Sequence, residues 1–310
     1  VTGEFAAIDR LMAQLPALPA DAAALGEVWI GDDAAVVRTP AAPWLLLAAD
    51  AVVAGVHADL RLTTLQDLGW KALVSNLSDL AAMGGSPGHA LVVVAGPSDT
   101  DLDALYEGLG EAATVYDCPV VGGDLTNAPT LVVAVSVTGT AMRPPVRRSG
   151  AQAGDEIWVT GPLGASAAGL RLLRGGSDSA KGAGLRRVLE TAHARPVPRL
   201  AEGRAASDAG ATAMIDVSDG LAAELAHLAD ASGIGFELDV VPVAAGATSE
   251  EALGGGEDYE LVFCAPDPSR VTEAFASLRP PVRIGRCVGP SEHRQLLGRT
   301  LESRGWQHDW

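Results

Sequence analysis

The chain has 310 residues, with 22 basic and 39 acidic side chains and a formal charge of −17. That length holds one large or two ordinary domains, and 48% hydrophobic with 20% charged residues is a globular balance. The negative charge argues against a nucleic-acid partner, and no apolar run approaches the roughly 18 residues of a membrane span. The start, Val1-Thr2-Gly3-Glu4-Phe5, lacks the basic and apolar regions of a signal peptide. Cys118, Cys264 and Cys287 lie far apart in sequence, in no CxxC pattern, which suits a reducing cytoplasm and argues against zinc.

In chain order, Trp44–Ala49, Ala90–Ala95 and Thr130–Thr140 are short, β-branched or apolar runs that read as strands. Asp67–Ala82 and Asp101–Tyr116 read as helices between them; Leu68, Ala72, Leu73, Leu77 and Leu80 recur at helical spacing. Pro144-Pro145 within a charged stretch marks a domain edge, giving an N-terminal unit over 1–145 and a C-terminal unit over 146–310. Beyond it, strands are expected at Glu156–Thr160, Met214–Asp216, Phe236–Val240, Tyr259–Cys264 and Val282–Val288. Helices are expected at Ala165–Arg174, Leu185–His193, Arg199–Ala209 and Leu221–Ala231, with a mobile Gly- and Ser-rich loop over Gly175–Gly184. The fold class is therefore α+β, two α/β-type domains.

Acidic residues gather beside glycines at the ends of apolar runs: Gly31-Asp32-Asp33, Asp50, Asp79 before Gly84-Gly85, Gly122-Gly123-Asp124, Asp216-Val217-Ser218-Asp219-Gly220 and Glu257-Asp258. Each alone has a plain explanation, since Asp caps turns and helices. Asp79 resists it: near a helix C-terminus the macrodipole disfavours an anion by roughly 0.3–1 kcal/mol. Two carboxylates about 4 Å apart repel by about 4 kcal/mol at an effective dielectric of about 20. Several converging acids therefore need cations or raised pKa values. Oxygen ligands without His or Cys favour Mg²⁺, which bridges carboxylates to substrate phosphates. No P-loop, GxGxxG after a strand, HRD or DFG triplet, GxSxG or HExxH is present.

Nearly end to end, the chain resembles the thiamine-monophosphate kinase family, in the superfamily shared with aminoimidazole ribonucleotide synthetase. The resemblance rests on Gly3-Glu4-Phe5, Gly31-Asp32-Asp33-Ala34-Ala35, Gly55-Val56-His57, Lys71-Ala72-Leu73, Asn76-Leu77-Ser78-Asp79 through Gly85, Gly122-Gly123-Asp124, Arg148-Ser149-Gly150-Ala151, Val159-Thr160-Gly161, Arg195-Pro196, Asp216 through Leu221, and Gly255-Gly256-Glu257-Asp258-Tyr259-Glu260-Leu261. It implies direct in-line transfer from ATP, with Mg²⁺, to thiamine monophosphate, the last step of thiamine diphosphate biosynthesis. It also implies a homodimer whose N-terminal sheets form a barrel-like interface, beside a C-terminal α/β domain. Carried onto this chain, the metal positions are Asp33, Asp50, Asp79, Asp124, Asp216 and Asp219. Gly123, Asp124, Arg148, Ser218 and Tyr106 fall at ATP contacts, and Arg148, Asp124 and Asp219 at catalytic positions. His57, Glu257 and a C-terminal aromatic, Trp306 or alternatively Trp310, would hold the thiamine phosphate.

The chain departs from the family pattern at Ala48-Ala49, where a hydroxyl usually precedes Asp50, and at Leu125, where Thr usually follows Gly-Gly-Asp. Two alternatives stay open on sequence alone. One is another ATP-dependent synthetase or ligase of the superfamily; the other is a nucleotide- and metal-binding dimer without catalysis.

Overall fold

The computed structural model describes residues 25–28, 32–38, 44–176 and 182–306. The first half runs β1 (Ala35–Val37), β2 (Trp44–Val53), α1 (Leu65–Ala82), β3 (Ser86–Gly96), α2 (Leu102–Val115), β4 (Val120–Asn127) and β5 (Val132–Ala141). Its five strands form one sheet in the order β1-β2-β5-β3-β4. Alternation sets the faces: Leu46, Ala48 and Val52 of β2 are buried, while Leu47, Ala49 and Ala51 are exposed. In the same phase, Ala90, Val92 and Val94 of β3 point inward.

Helix α1 is buried on nearly all sides, because it lies between this sheet, α2 and the second half of the chain. Glycine makes that crowding possible. A Cβ at Gly108 of α2 would stand 1.7 Å from the Gln66 carbonyl oxygen, so no other residue lets the two helices approach this closely. Thr64 caps α1 by accepting from the Asp67 N–H, which starts the helix ahead of the expected Asp67.

The second half runs β6 (Glu156–Val159), α3 (Ala165–Leu173), α4 (Gly182–Ala194), α5 (Leu200–Ala209), β7 (Ala213–Asp216), α6 (Leu221–Ser232), β8 (Gly235–Leu238), α7 (Ser249–Gly254), β9 (Leu261–Ala265), α8 (Pro268–Ala274), β10 (Val282–Val288), β11 (Arg294–Leu296) and β12 (Arg299–Thr300). Its seven-stranded sheet has the order β12-β11-β8-β10-β6-β9-β7. One core joins Ile157, Val159, Ile215, Val262 and Phe236 to α6. A second runs across the halves, from Leu46 and Val135 through Leu77 to Leu261 and Phe263. The site described below therefore sits on a continuous packed base.

The elements missed by the sequence reading are short or solvated. Gly122-Gly123-Asp124, read as acid and glycines at the end of an apolar run, lies inside β4. That strand is an exposed edge with almost no apolar alternation, paired in parallel with β3. Segments α7, α8, β11 and β12 carry too few residues to set a period. Half of the expected 175–184 loop, residues 177–181, lies outside the described residues; Gly182–Gly184 already belong to α4. The barrel-like closure expected from the family is not made within the described residues of one chain: the first sheet is open, and Leu47, Leu91 and Val93 stand exposed on its outer face.

Candidate active site

Asp33, Asp79 and Asp216 reach one point from three distant stretches of chain. Each offers a carboxylate oxygen within 4.8 Å of the others. Asp33 precedes β1, Asp79 is in the last turn of α1, and Asp216 ends β7. Asp50, on the inward face of β2 opposite Val135, adds its charge to Asp79 and Asp216. Burial first, then Asp50, Asp216 and Asp33, hold the Asp79 carboxyl well above the usual carboxylate range. Burial and the Asp33 charge push Asp216 up to about 8, against the opposing Ser78 hydroxyl bond.

The surrounding motif residues are the scaffold of this point. Asn76 Oδ1 accepts from the Asp50 N–H at 3.0 Å, tying β2 to α1. Ser78 Oγ donates to Asp216 Oδ2 at 2.6 Å, tying α1 to β7. Glu224, in the first turn of α6, accepts from the Asp219 N–H at 2.9 Å and from Ser218 Oγ at 3.3 Å. Its burial, and then Asp216, raise its own pKa well above normal. Asp219 does not cap α6; the cap is Gly220, at φ 116. A Cβ there would meet the Gly254 carbonyl carbon at 2.8 Å, so glycine lets the β7–α6 loop lie against α7.

Arg148 is the cation beside the cluster. Its guanidinium donates to both oxygens of Asp33, at 3.1 and 2.7 Å, and its backbone N–H to Asp32. Burial alone would lower the Arg148 pKa, but Asp33 outweighs it and the group stays charged. Burial and Asp33 push Asp32 up to about 7.

Against this geometry, the comparisons with known proteins are specific. Residues 31–141 match the N-terminal domain of AIR synthase related proteins, and residues 152–295 their C-terminal domain. The thiamine-monophosphate kinase of Bacillus subtilis (strain 168) is 35% identical over 303 residues, covering 91% of this chain and 93% of that protein. That of Synechococcus elongatus is 39% identical over 254 residues, 76% of this chain and 77% of its own. The chain belongs to the thiamine-monophosphate kinase family. Its fold superimposes on a ThiL structure complexed with AMPPCP and TMP with a TM-score of 0.84, at 33% identity, over 99% of this chain and 97% of that one.

The other described residues carried over from the family fall into five places. Ser218, Asp219 and Trp306 meet at the β7–α6 loop, where the Trp306 N–H donates to the Asp219 carbonyl at 3.1 Å and the indole stands half exposed. His57 closes the turn after β2, its Nδ1 accepting from the Val53 N–H at 3.0 Å. Glu257 lies before β9, with its carboxylate on the Lys71 ammonium at 3.0 Å. Gly123 and Asp124 are elsewhere: β4 sets Asp124 opposite Val93, on the outer face, outside the group of three carboxylates. Tyr106 lines a cavity of about 460 Å³ between α2 and the start of β4, with Leu109, Ala113 and Pro119. Gly3-Glu4-Phe5, Gly31 and Trp310 lie outside the described residues.

In the Gly255–Leu261 run that carries the resemblance toward the C-terminus, all three acidic side chains have partners. Asp258 accepts from the Gly164 and Ser166 N–H groups at the start of α3. Glu260 binds Arg199, Arg279 and Thr160. Sequence reasoning gave no role to Lys71, Asn76 or Ser78, which it named only within matching motifs, and did not single out His193 or Glu224. Lys71, Asn76 and Ser78 did leave a signal: they are polar residues in a helix that is otherwise apolar on most faces.

Proposed function

We propose that this chain transfers the γ-phosphoryl group of ATP to the phosphate of thiamine monophosphate, giving ADP and thiamine diphosphate. The observation that carries the reading is the convergence of Asp33, Asp79 and Asp216, with Asp50 beside them and burial raising the cost of their charge. An all-oxygen, carboxylate-rich donor set under-supplied with positive charge fits Mg²⁺. Asp33, Asp50, Asp79 and Asp216 would hold it, with Asp219 from the adjoining loop. Bound Mg²⁺ supplies neutralisation of the triphosphate and of the transferred group.

The chain's own residues then position and screen. The acceptor is a phosphate oxygen already anionic at neutral pH, so no general base is required. Arg148, held by Asp33, brings a fixed positive charge to the edge of the cluster. Ser218 is steadied by Glu224 where the nucleotide phosphates would pass. The cavity beside Tyr106 has the size for a nucleobase, and its walls mix apolar side chains with Thr114 and Asp117. His57, Glu257 and Trp306 take the thiamine phosphate, the indole offering a face to its cationic ring.

Gly123 and Asp124 remain in this reading as contacts offered from the edge strand. Their outer face, with exposed Leu47, Leu91 and Val93, is where a second copy of the chain would pack in a homodimer. The division into units 1–145 and 146–310 belongs to the same reading.

Purified protein incubated with thiamine monophosphate, ATP and MgCl₂ is expected to form thiamine diphosphate and ADP in equal amounts, and chelation of Mg²⁺ to stop it. A folded protein that binds nucleotide without forming thiamine diphosphate would overturn the proposal. It would favour the non-catalytic dimer instead.

A further inference from the structure

We propose that Lys71 is a positioning residue of the substrate pocket: its buried ammonium fixes the Glu257 carboxylate in the orientation that meets the substrate. The inference rests on the reading that Glu257 contacts thiamine monophosphate.

Lys71 lies mid-way along α1 and its side chain is 2% exposed. Its Nζ is equidistant from both Glu257 oxygens, 3.0 Å from each. A lysine in such a place is costly unless paired, and an apolar side chain of similar volume would pack there at less cost. Glu257 is unusual in its backbone as well. It sits at φ 64, a left-handed conformation that costs a non-glycine residue about 1–2 kcal/mol, directly after three glycines. Its N–H is fixed on the Ser218 carbonyl at 2.7 Å, beside the loop that carries Asp219. Backbone and side chain are thus both constrained, at a position where glycine would be unstrained.

The neighbouring Glu260 shows what a purely structural acid looks like in the same motif. It is 3% exposed, and Arg199, Arg279 and Thr160 cover its two oxygens. The Glu257 side chain is 27% exposed, and its full positive partner approaches symmetrically from the buried side. A carboxylate held that way keeps lone pairs available on its exposed side. His193 adds direction without charge. Its Nδ1 is 3.4 Å from Glu257 Oε2 and 3.1 Å from Ser166 Oγ, and burial and Lys71 push its pKa down to about 4. The result is a fixed, partly exposed anion. It suits a ligand bearing an exocyclic amine and a cationic ring, both of which thiamine monophosphate has.

The test compares Lys71→Gln, Lys71→Arg, Glu257→Gln and the double variant Lys71→Gln/Glu257→Gln by steady-state kinetics on the wild-type reaction. Lys71→Gln is expected to raise KM for thiamine monophosphate about tenfold while KM for ATP stays within about twofold. The double variant is expected to be no worse than Glu257→Gln, because Lys71 acts through that carboxylate. Lys71→Arg keeps the charge but not its point geometry, and should fall between wild type and Lys71→Gln. An unchanged KM in folded Lys71→Gln, parallel loss for both substrates, or multiplying effects in the double variant would overturn the assignment. Should Lys71→Gln not fold, the Lys71→Arg value decides, and a wild-type KM there rejects positioning. Wild-type protein that makes no thiamine diphosphate removes the functional reading and this inference together. Wild-type turnover with insensitive Lys71 variants removes this inference alone.

Discussion

Two buried acidic places lie within reach of the same two sheets, and they are balanced in opposite ways. At Glu260 one carboxylate faces two guanidinium groups and a hydroxyl, all within 3.0 Å. At Asp33, Asp79 and Asp216 three carboxylates face one another, and the Arg148 guanidinium is spent on Asp33. Burial is similar; the charge balance is not. A matched acid is complete when the chain has folded, and its work is to hold β9 to α5 and to the segment after α8. An unmatched cluster is kept together by the packing of β2, α1 and β7 against its own repulsion, and in the proposed function a cation from solution would complete it.

The largest test of that contrast is Asp216→Asn. It is expected to lower kcat at least about a thousandfold, since a ligand at the centre of the cluster is lost. Thermal stability without metal should not fall. The amide oxygen still accepts from Ser78, and a neutral amide needs no bound proton to sit in the cluster. The stabilisation conferred by added Mg²⁺ should shrink in the same melting experiment. Wild-type turnover in this variant would show that the cluster is structural and erase the distinction.

Glu260→Gln should do the reverse. Arg199 and Arg279 lose their counter-charge but are 22% and 44% exposed, so the cost is about 1–3 kcal/mol rather than that of a fully buried broken pair. The denaturant midpoint is expected to drop while kcat of the folded protein changes little. A kinetic collapse without loss of stability would place Glu260 in the reaction and break the comparison from the other side.

Much of this was legible in the chain because physical constraints repeat locally. Short apolar, β-branched runs marked β2, β3 and β5, and helical spacing marked α1; α2 is also expected, and Asp101 is its N-cap, accepting from the Ala104 N–H. The acids beside glycines announced the cluster. What sequence could not give is which of them meet. Asp33, Asp79 and Asp216 converge only through three separate elements, while Asp124, with the same Gly-Gly-Asp appearance, stands on the outer face of an edge strand. Cys264 and Cys287 make the same point: remote in sequence, their sulfurs lie 3.5 Å apart in the core as free thiols. The departure at Ala49 also changes meaning in three dimensions. Strand register puts it opposite Ser136, on the face away from Asp50.

The smallest expected effect is a pH trend, and it separates the two kinds of acid without mutation. Asp216 is pushed up to about 8, Asp32 to about 7 and Asp258 to about 6, by burial first, whereas unfolded carboxyls ionise at about 4. Between those limits the folded, metal-free protein holds protons that the unfolded chain has released. This stabilising contribution is whole below about pH 4 and is lost as pH rises toward 8. His193 runs the other way: with its folded value near 4 and an unfolded value of about 6.5, it favours folding more as pH rises through that interval, then levels off. From about pH 6.5 to 8 the His193 contribution fades and the carboxylates set the trend. The metal-free Tm should fall by a few degrees across that window, and the increment added by Mg²⁺ should grow, because metal binding there displaces fewer protons. Asp216→Asn should flatten the slope and Glu260→Gln should leave it in place. A metal-free Tm that climbs over this window would mean that the clustered carboxylates are already compensated within the fold, as Glu260 is.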